Sequence, residues 1–138
     1  MVNGLKSDTN TCRIVIADDH AMFRQGLKHT IDGKSGIAIV GEACDGRELL
    51  EVMDKQPVDM VIVDISMPNL NGIEAAKEIQ KKYPGVKVLF LTMHKEMEYL
   101  QQAILAGAQG YVLKEKMDTE LFPAIQTIMN GGVYFNEM

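Results

Sequence analysis

Residues 58–92 read VDMVIVDISMPNLNGIEAAKEIQKKYPGVKVLFLT, and this stretch decides the fold. It opens on an apolar run, Met60–Asp64 (MVIVD), that lacks the in–out alternation of a half-exposed strand and suits a parallel strand covered on both faces. Gly72–Tyr83 follows with apolar residues at three- and four-residue spacing, Ile73, Ala76 and Ile79 forming the stripe of an amphipathic helix. Pro84-Gly85 stops that helix. Val86–Thr92 (VKVLFLT) is then a second apolar run. Strand, helix and strand in this order form a βαβ crossover, which is almost always right-handed and joins parallel neighbours.

The same alternation extends in both directions. Further strands are expected at Cys12–Ala17 (CRIVIA), Ile37–Ala43 (IAIVGEA) and Gly110–Leu113 (GYVL). Further helices are expected over Ala21–Ile31, Arg47–Lys55, Glu96–Ala106 and Asp118–Met129, with stops at Gly107 and Gly131-Gly132. Five βα units give an α/β fold, one doubly wound parallel sheet with helices on both faces. A chain of 138 residues, 46% of them hydrophobic, supplies one ordinary core and leaves little room for a second. The expected organisation is a flexible N-terminal tail over 1–11, one domain over 12–131, and the start of a linker or a free tail over 132–138.

Bulk properties exclude several function classes. The net charge of −5 argues against a nucleic-acid surface in this segment, because phosphate backbones demand clustered Lys and Arg. Cys12 and Cys44 lack CxxC spacing and read as buried free thiols. The ten methionines are scattered through apolar segments and read as core filling. No apolar run approaches the roughly 18 residues of a membrane span, and the opening MVNGLKSDTN is polar, so no membrane association and a cytoplasmic location are expected.

The polar residues that could carry chemistry lie where apolar runs end: Asp18 and Asp19 after the first, Asp64 at the third, Thr92 at the fourth, Lys114 after the fifth. In an open parallel sheet these carboxyl ends share one edge, where ligands bind. Three carboxylates crowded there repel one another, and a divalent cation relieves the repulsion. Mg²⁺ suits such a set because it accepts a few carboxylates and keeps several waters. Lys114 and Thr92 add a positive charge and a hydroxyl, the donors a phosphoryl group needs, and a carboxylate can act as nucleophile to give an aspartyl phosphate. Asp64, ending the central run, is the best-placed acceptor, while the adjacent Asp18 and Asp19 are better suited to a cation. Taken singly, each acidic residue reads as a solvated charge or a helix cap; it is the convergence of five positions on one edge that points to a site. His20, His29 and His94 show no metal-ligand spacing among themselves and read as surface or structural residues.

These motifs, IADDH, VDISMPNLNG, LTMH and GYVLKE, resemble those of the CheY-like receiver domains of two-component response regulators, over about Cys12 to Gly131. The resemblance implies a flavodoxin-like, five-stranded sheet of order 2-1-3-4-5 with five helices. It implies Asp64 as phosphoacceptor, Asp19 as a direct Mg²⁺ ligand, Asp18 as a ligand through water, and the Ser66 backbone carbonyl and Asp64 as further ligands. Thr92 and Lys114 would contact the phosphoryl group, and Thr92 and Tyr111 would form the conformational switch. Ser66 and His94, each two residues beyond a site residue, hold places that border the attacking water in receivers. Pro68 and Gly72 shape the loop after the acceptor, and Met93 is larger than the alanine or serine common beside the threonine.

The stretch TMHKEMEYLQQAILAGAQGYVLKE is most similar to the NarL/FixJ subfamily, in which a receiver precedes a LuxR-type DNA-binding domain. The implied partners are a sensor histidine kinase and a second copy of the chain on phosphorylation, with DNA contacted only through an output domain that these residues do not include. The implied role is signalling rather than enzymatic in the usual sense. Three alternatives fit less well. A haloacid-dehalogenase-type phosphatase wants an Asp where Ser66 stands. A nucleotide- or flavin-binding module wants a Gly-rich loop where ADDH stands. A receiver that works without phosphorylation would not need Asp18, Asp19, Asp64, Thr92 and Lys114 together.

Overall fold

The structure is a computed structural model that describes residues 11–135. Its strands are β1 (Cys12–Ala17), β2 (Ile37–Ala43), β3 (Met60–Val63), β4 (Lys87–Thr92), β5 (Gly110–Leu113) and β6 (Tyr134–Phe135). Its helices are α1 (Ala21–Ile31), α2 (Gly46–Met53), α3 (Gly72–Lys82), α4 (Met97–Leu105) and α5 (Met117–Met129), with a 3₁₀ turn at Lys114–Lys116. The sheet order is β2-β1-β3-β4-β5-β6, and every pairing is parallel. The chain therefore reverses its direction of winding between β1 and β3, the point at which an open α/β sheet leaves a crevice beyond its carboxyl ends.

The expected order of five strands stands, and a sixth strand is added to it. Gly131, at φ 92°, turns the chain out of α5. Tyr134 N–H then donates to Gln109 O at 2.8 Å and seats β6 beside β5. Two residues are too few for a periodic signal. The expected N-terminal tail lies, apart from Thr11, outside the described residues. No described helix is long and apolar enough to cross a membrane.

The unalternating apolar runs are explained by a core on each side of the sheet. Val15, Val61 and Phe90 face Leu49, Ile79 and Ala103 from α2, α3 and α4. Ile14, Ile16, Ile62, Leu89 and Leu91 face Leu27, Ile31, Leu121 and Ile125 from α1 and α5. Each such Val, Leu, Ile or Phe side chain, fully buried, contributes roughly 2 kcal/mol of transfer free energy. β2 lies at an edge and is only half-buried over most of its length, which suits the Gly41-Glu42 pair it carries.

The cysteines divide. Cys12 is buried in β1, as expected, but Cys44 is exposed: it follows the edge strand and gives its N–H to Glu48 Oε1 at 2.6 Å, as part of the start of α2. Burial, with the nearby Asp59 charge, raises the Cys12 thiol pKa to about 11. Because the thiolate is the nucleophile, a raised pKa suppresses reaction at neutral pH. At pH 8 one thiol, Cys44, is expected to react with a chromogenic disulfide reagent in the native protein and two after unfolding. Two immediate equivalents in the native state would contradict this placement of Cys12.

Candidate functional site

β1, β3, β4 and β5 end at one edge of the sheet and carry the site residues there. Asp64 follows β3 directly. The strand is one residue shorter than expected because the Asp64 carboxylate turns the chain, its Oδ1 accepting from Ile65 N–H at 2.7 Å. Its own N–H still donates to Ala17 O at 3.0 Å, fixing it against β1. Asp18 N–H donates in the same way to Ala43 O at 3.0 Å, so backbone ladders position both carboxylates.

Lys114, the first residue after β5, reaches across the edge. Its Nζ lies 2.7 Å from Asp18 Oδ2 and 3.0 Å from Asp64 Oδ2, and the three side chains are only 11%, 3% and 8% exposed. Burial pulls the ammonium pKa down, but the hydrogen-bonding and charge of Asp18 and Asp64 outweigh it and hold the pKa above the usual lysine value. Lys114 is thus charged throughout the neutral range. Its ammonium also stands 4.1 Å from the centre of the Phe23 ring, a cation–π contact from α1. Arg24, one residue on, donates to the Asp18 backbone carbonyl and pairs with Glu42 at 3.2 Å, tying α1 to β2 beneath the acidic pair.

One ammonium between two buried carboxylates leaves the cluster negative. Asp18 Oδ2 is buried, and among the described residues the Lys114 ammonium at 2.7 Å is the one partner seen for it. Asp19 is more open, with a side chain 31% exposed, and its Oδ1 lies 3.1 Å from His20 Nδ1. Asp18, Asp19 and His20 each offer a ligand atom, and all these atoms lie within 4.8 Å of one another. Two buried carboxylates that share one ammonium, beside an open carboxylate, make a donor set that fits a hard divalent cation. From the sequence His20 reads as a surface or structural residue, and the structure sets its ring beside both aspartates. Its position directly after two aspartates is the sequence signal for this approach, which spacing among the histidines does not show.

The remaining expected residues form a second group beside the first. Thr92 is fully buried, and its Oγ1 accepts from His94 N–H at 3.3 Å. Tyr111 is buried as well and donates its hydroxyl to His94 O at 2.9 Å; burial, then the Glu96 charge, pushes its phenol pKa upward. Ser66 Oγ and His94 Nε2 are 2.8 Å apart. The His94 ring stacks on Tyr99 at 4.1 Å between centroids. Asp19, Ser66, Met67, Pro68, Asn71 and Tyr99 line an open depression of about 570 Å³ at the mouth. Met93 projects into solvent, 75% exposed.

The loop after Asp64 is held rigid at both ends. Asn71 caps α3 by accepting from Glu74 N–H at 2.9 Å, with the Glu74 side chain returning to Asn71 N–H. Gly72 N–H donates to Ile65 O at 2.8 Å, and the backbone approach is so close that any β-carbon on residue 72 would overlap the Asp64 carbonyl. Asn69, at φ 66°, gives its side-chain amide to Asp45 at 2.6 Å.

Comparison with known proteins gives a family. Residues 14–126 match the family model described as the response regulator receiver domain. The transcriptional regulatory protein DegU of Brevibacillus brevis is 36% identical over 127 residues, covering 92% of this chain and 54% of that protein. A two-component response regulator of the LuxR family from Aurantimonas sp. SI85-9A1 superposes with a TM-score of 0.86 at 35% identity, over 90% of this chain and 89% of that one. The isolated receiver domain of RcsB from Salmonella enterica serovar Typhimurium, in the presence of the phosphomimetic BeF₃⁻, superposes with a TM-score of 0.87 at 27% identity, over 93% and 95% of the two chains. The chain spans a little over half the length of the curated relatives it matches. With acidic, lysine and threonine side chains at the carboxyl edge of a 2-1-3-4-5 parallel sheet and a match across most of its length, the chain belongs to the response regulator receiver domain family, among relatives of the NarL, DegU and LuxR-type regulators.

Proposed function

We propose that this receiver takes a phosphoryl group on Asp64 from the phosphohistidine of a sensor histidine kinase and changes conformation in response. The observation that carries the reading is the Lys114 ammonium placed between Asp18 and Asp64, residues far apart in sequence. In the transfer an Asp64 carboxylate oxygen attacks phosphorus, the phosphorus–nitrogen bond to the kinase histidine breaks, and the imidazole leaves with that electron pair. Ile65 N–H holds Asp64 Oδ1 and so fixes the carboxylate's orientation before attack. Lys114, no longer facing an ionised Asp64 once that carboxylate has become an acyl phosphate, is free to face the phosphoryl oxygens. Thr92 supplies a hydroxyl to the same group after releasing His94 N–H.

Asp19, Asp64 and the Ser66 carbonyl would hold Mg²⁺ directly, and Asp18 through water. When bound, the ion supplies positive charge for the clustered carboxylates and the phosphoryl oxygens. Hydrolysis by water returns Asp64 to its free form, so the domain catalyses its own loading and resetting while its product is a signal. Movement in the Thr92–Tyr111 region would be passed to α4, β5 and α5, to a homodimer formed on phosphorylation, and to a LuxR-type DNA-binding domain of the kind that the similarity to transcriptional regulators suggests. A cytoplasmic location accords with that family.

Acetyl phosphate with Mg²⁺, followed by intact-mass spectrometry, tests the chemistry. One added phosphoryl group is expected on the wild type, and none on Asp64→Asn or after chelation of Mg²⁺. Failure of the wild type to take up phosphate, together with failure to bind beryllofluoride, would leave only phosphorylation-independent partner binding.

A further inference from the structure

We propose that His94 is a positioning residue that links the loop after Asp64 to the buried Tyr111, so that displacement of one is felt by the other. The link rests on the reading of Asp64 as acceptor for its purpose, but not for its existence. Four contacts converge on this one residue. Its Nε2 lies 2.8 Å from Ser66 Oγ, on the loop between β3 and α3. Its ring stacks on Tyr99 of α4 at 4.1 Å with an interplanar angle of 23°. Its N–H donates to Thr92 Oγ1 at 3.3 Å, and its carbonyl accepts from Tyr111 OH at 2.9 Å.

The side chain and the backbone of His94 therefore serve different ends of the site. The side chain is held by Ser66 and Tyr99, with Glu96 Oε1 3.9 Å from its Nδ1, so a shift of the backbone that follows Thr92 strains the Ser66 hydrogen bond or the ring stack. The same backbone offers the one hydrogen-bond partner that the structure gives the Tyr111 hydroxyl. A buried phenol that loses its acceptor pays the full cost of an unsatisfied group, which favours turning outward to water. The inward position of Tyr111 thus depends on where His94 O sits, and that depends on Ser66. This role differs from tuning the attacking water. It acts through Tyr111, and it operates in the resting protein.

The test follows the Tyr111 environment in protein uniformly labelled with 3-fluorotyrosine, with the Tyr111 ¹⁹F resonance assigned by Tyr111→Phe. Ser66→Ala keeps the backbone carbonyl and removes only the hydroxyl. It is expected to move the Tyr111 resonance toward the solvent-exposed position, with a roughly fivefold rise in the outward population, as loss of one ordinary net hydrogen bond implies. His94→Ala is expected to do the same or more, and Ser66→Ala added to His94→Ala should change nothing further. His94→Gln, whose amide can still reach Ser66, should restore part of the inward population; a purely steric role for the ring would give no such rescue. A Tyr111 resonance unmoved by Ser66→Ala, or effects of the two substitutions that simply add, would overturn the link. Beryllofluoride with Mg²⁺, added to the wild type as a separate arm, reports on the phosphoryl reading alone, because the resting spectra decide the link whether or not the mimic binds.

Discussion

In magnesium-free buffer Lys114→Ala is expected to lower the free energy of unfolding by about 3 kcal/mol, the scale for breaking a buried ion pair by removing one partner. The wild-type cluster shares one ammonium between two carboxylates that are 3% and 8% exposed. Without it both charges stay buried, and Asp18 Oδ2 loses the ammonium that stands 2.7 Å away. The Phe23 ring also loses its cation, a smaller effect of about 1 kcal/mol. Millimolar Mg²⁺ should narrow the gap between variant and wild type, since a cation held by the same carboxylates replaces the missing charge and stabilises by linkage. Urea denaturation with and without Mg²⁺ measures both effects. A variant as stable as the wild type in the absence of Mg²⁺ would mean that the two carboxylates do not depend on Lys114.

Gly72→Ala is expected to cost about as much, roughly 3 kcal/mol, at the upper end of the range for overpacking. The cause is steric and backbone-borne. A β-carbon there would stand 2.9 Å from the Asp64 carbonyl carbon and 3.0 Å from Ile65 Cα, and closer still to the Asp64 carbonyl oxygen. No side chain can rotate away to relieve it, so the loop after Asp64 must move. A loss of this size lowers the melting temperature by on the order of 10 °C in a domain of this length. Gly26→Ala is the control. It lies inside α1 with nothing within 4 Å of the added carbon, so it should stabilise by roughly 0.5–1 kcal/mol through helix propensity. Equal melting temperatures for Gly72→Ala and the wild type would contradict the close approach.

Much of this was legible in the sequence because the strands are buried on both faces. CRIVIA and GYVL begin and end in the structure where the apolar runs do, since a parallel strand between two helix layers has no solvent face to dilute its pattern; IAIVGEA keeps its expected bounds as well, although that edge strand is only half-buried. Asp18, Asp64, Thr92 and Lys114 could be placed on one edge from topology alone, and three of them meet there through the Lys114 contacts. What was not legible depends on side-chain direction or on very short elements. The pairing of Tyr134–Phe135 with β5 rests on one turn at Gly131. The exposure of Cys44 follows from its place at the start of α2, where its apolar neighbours in sequence are not its neighbours in space. The approach of His20 to Asp18 and Asp19, and the convergence of Ser66, Tyr99 and Tyr111 on His94, are properties of rotamers and loops that periodicity does not encode.

The central claim is that Asp64, rather than Asp18 or Asp19, becomes the phosphorylated carboxylate, and the most direct measurement locates the group. An acyl phosphate is reduced by borohydride to an alcohol, which converts a phosphorylated aspartate to homoserine and leaves free carboxylates unchanged. After acetyl phosphate and Mg²⁺ treatment, borohydride reduction and peptide mass mapping, homoserine at position 64 alone is the expected result. Homoserine at position 18 or 19, or phosphorylated protein that yields homoserine nowhere, would contradict it.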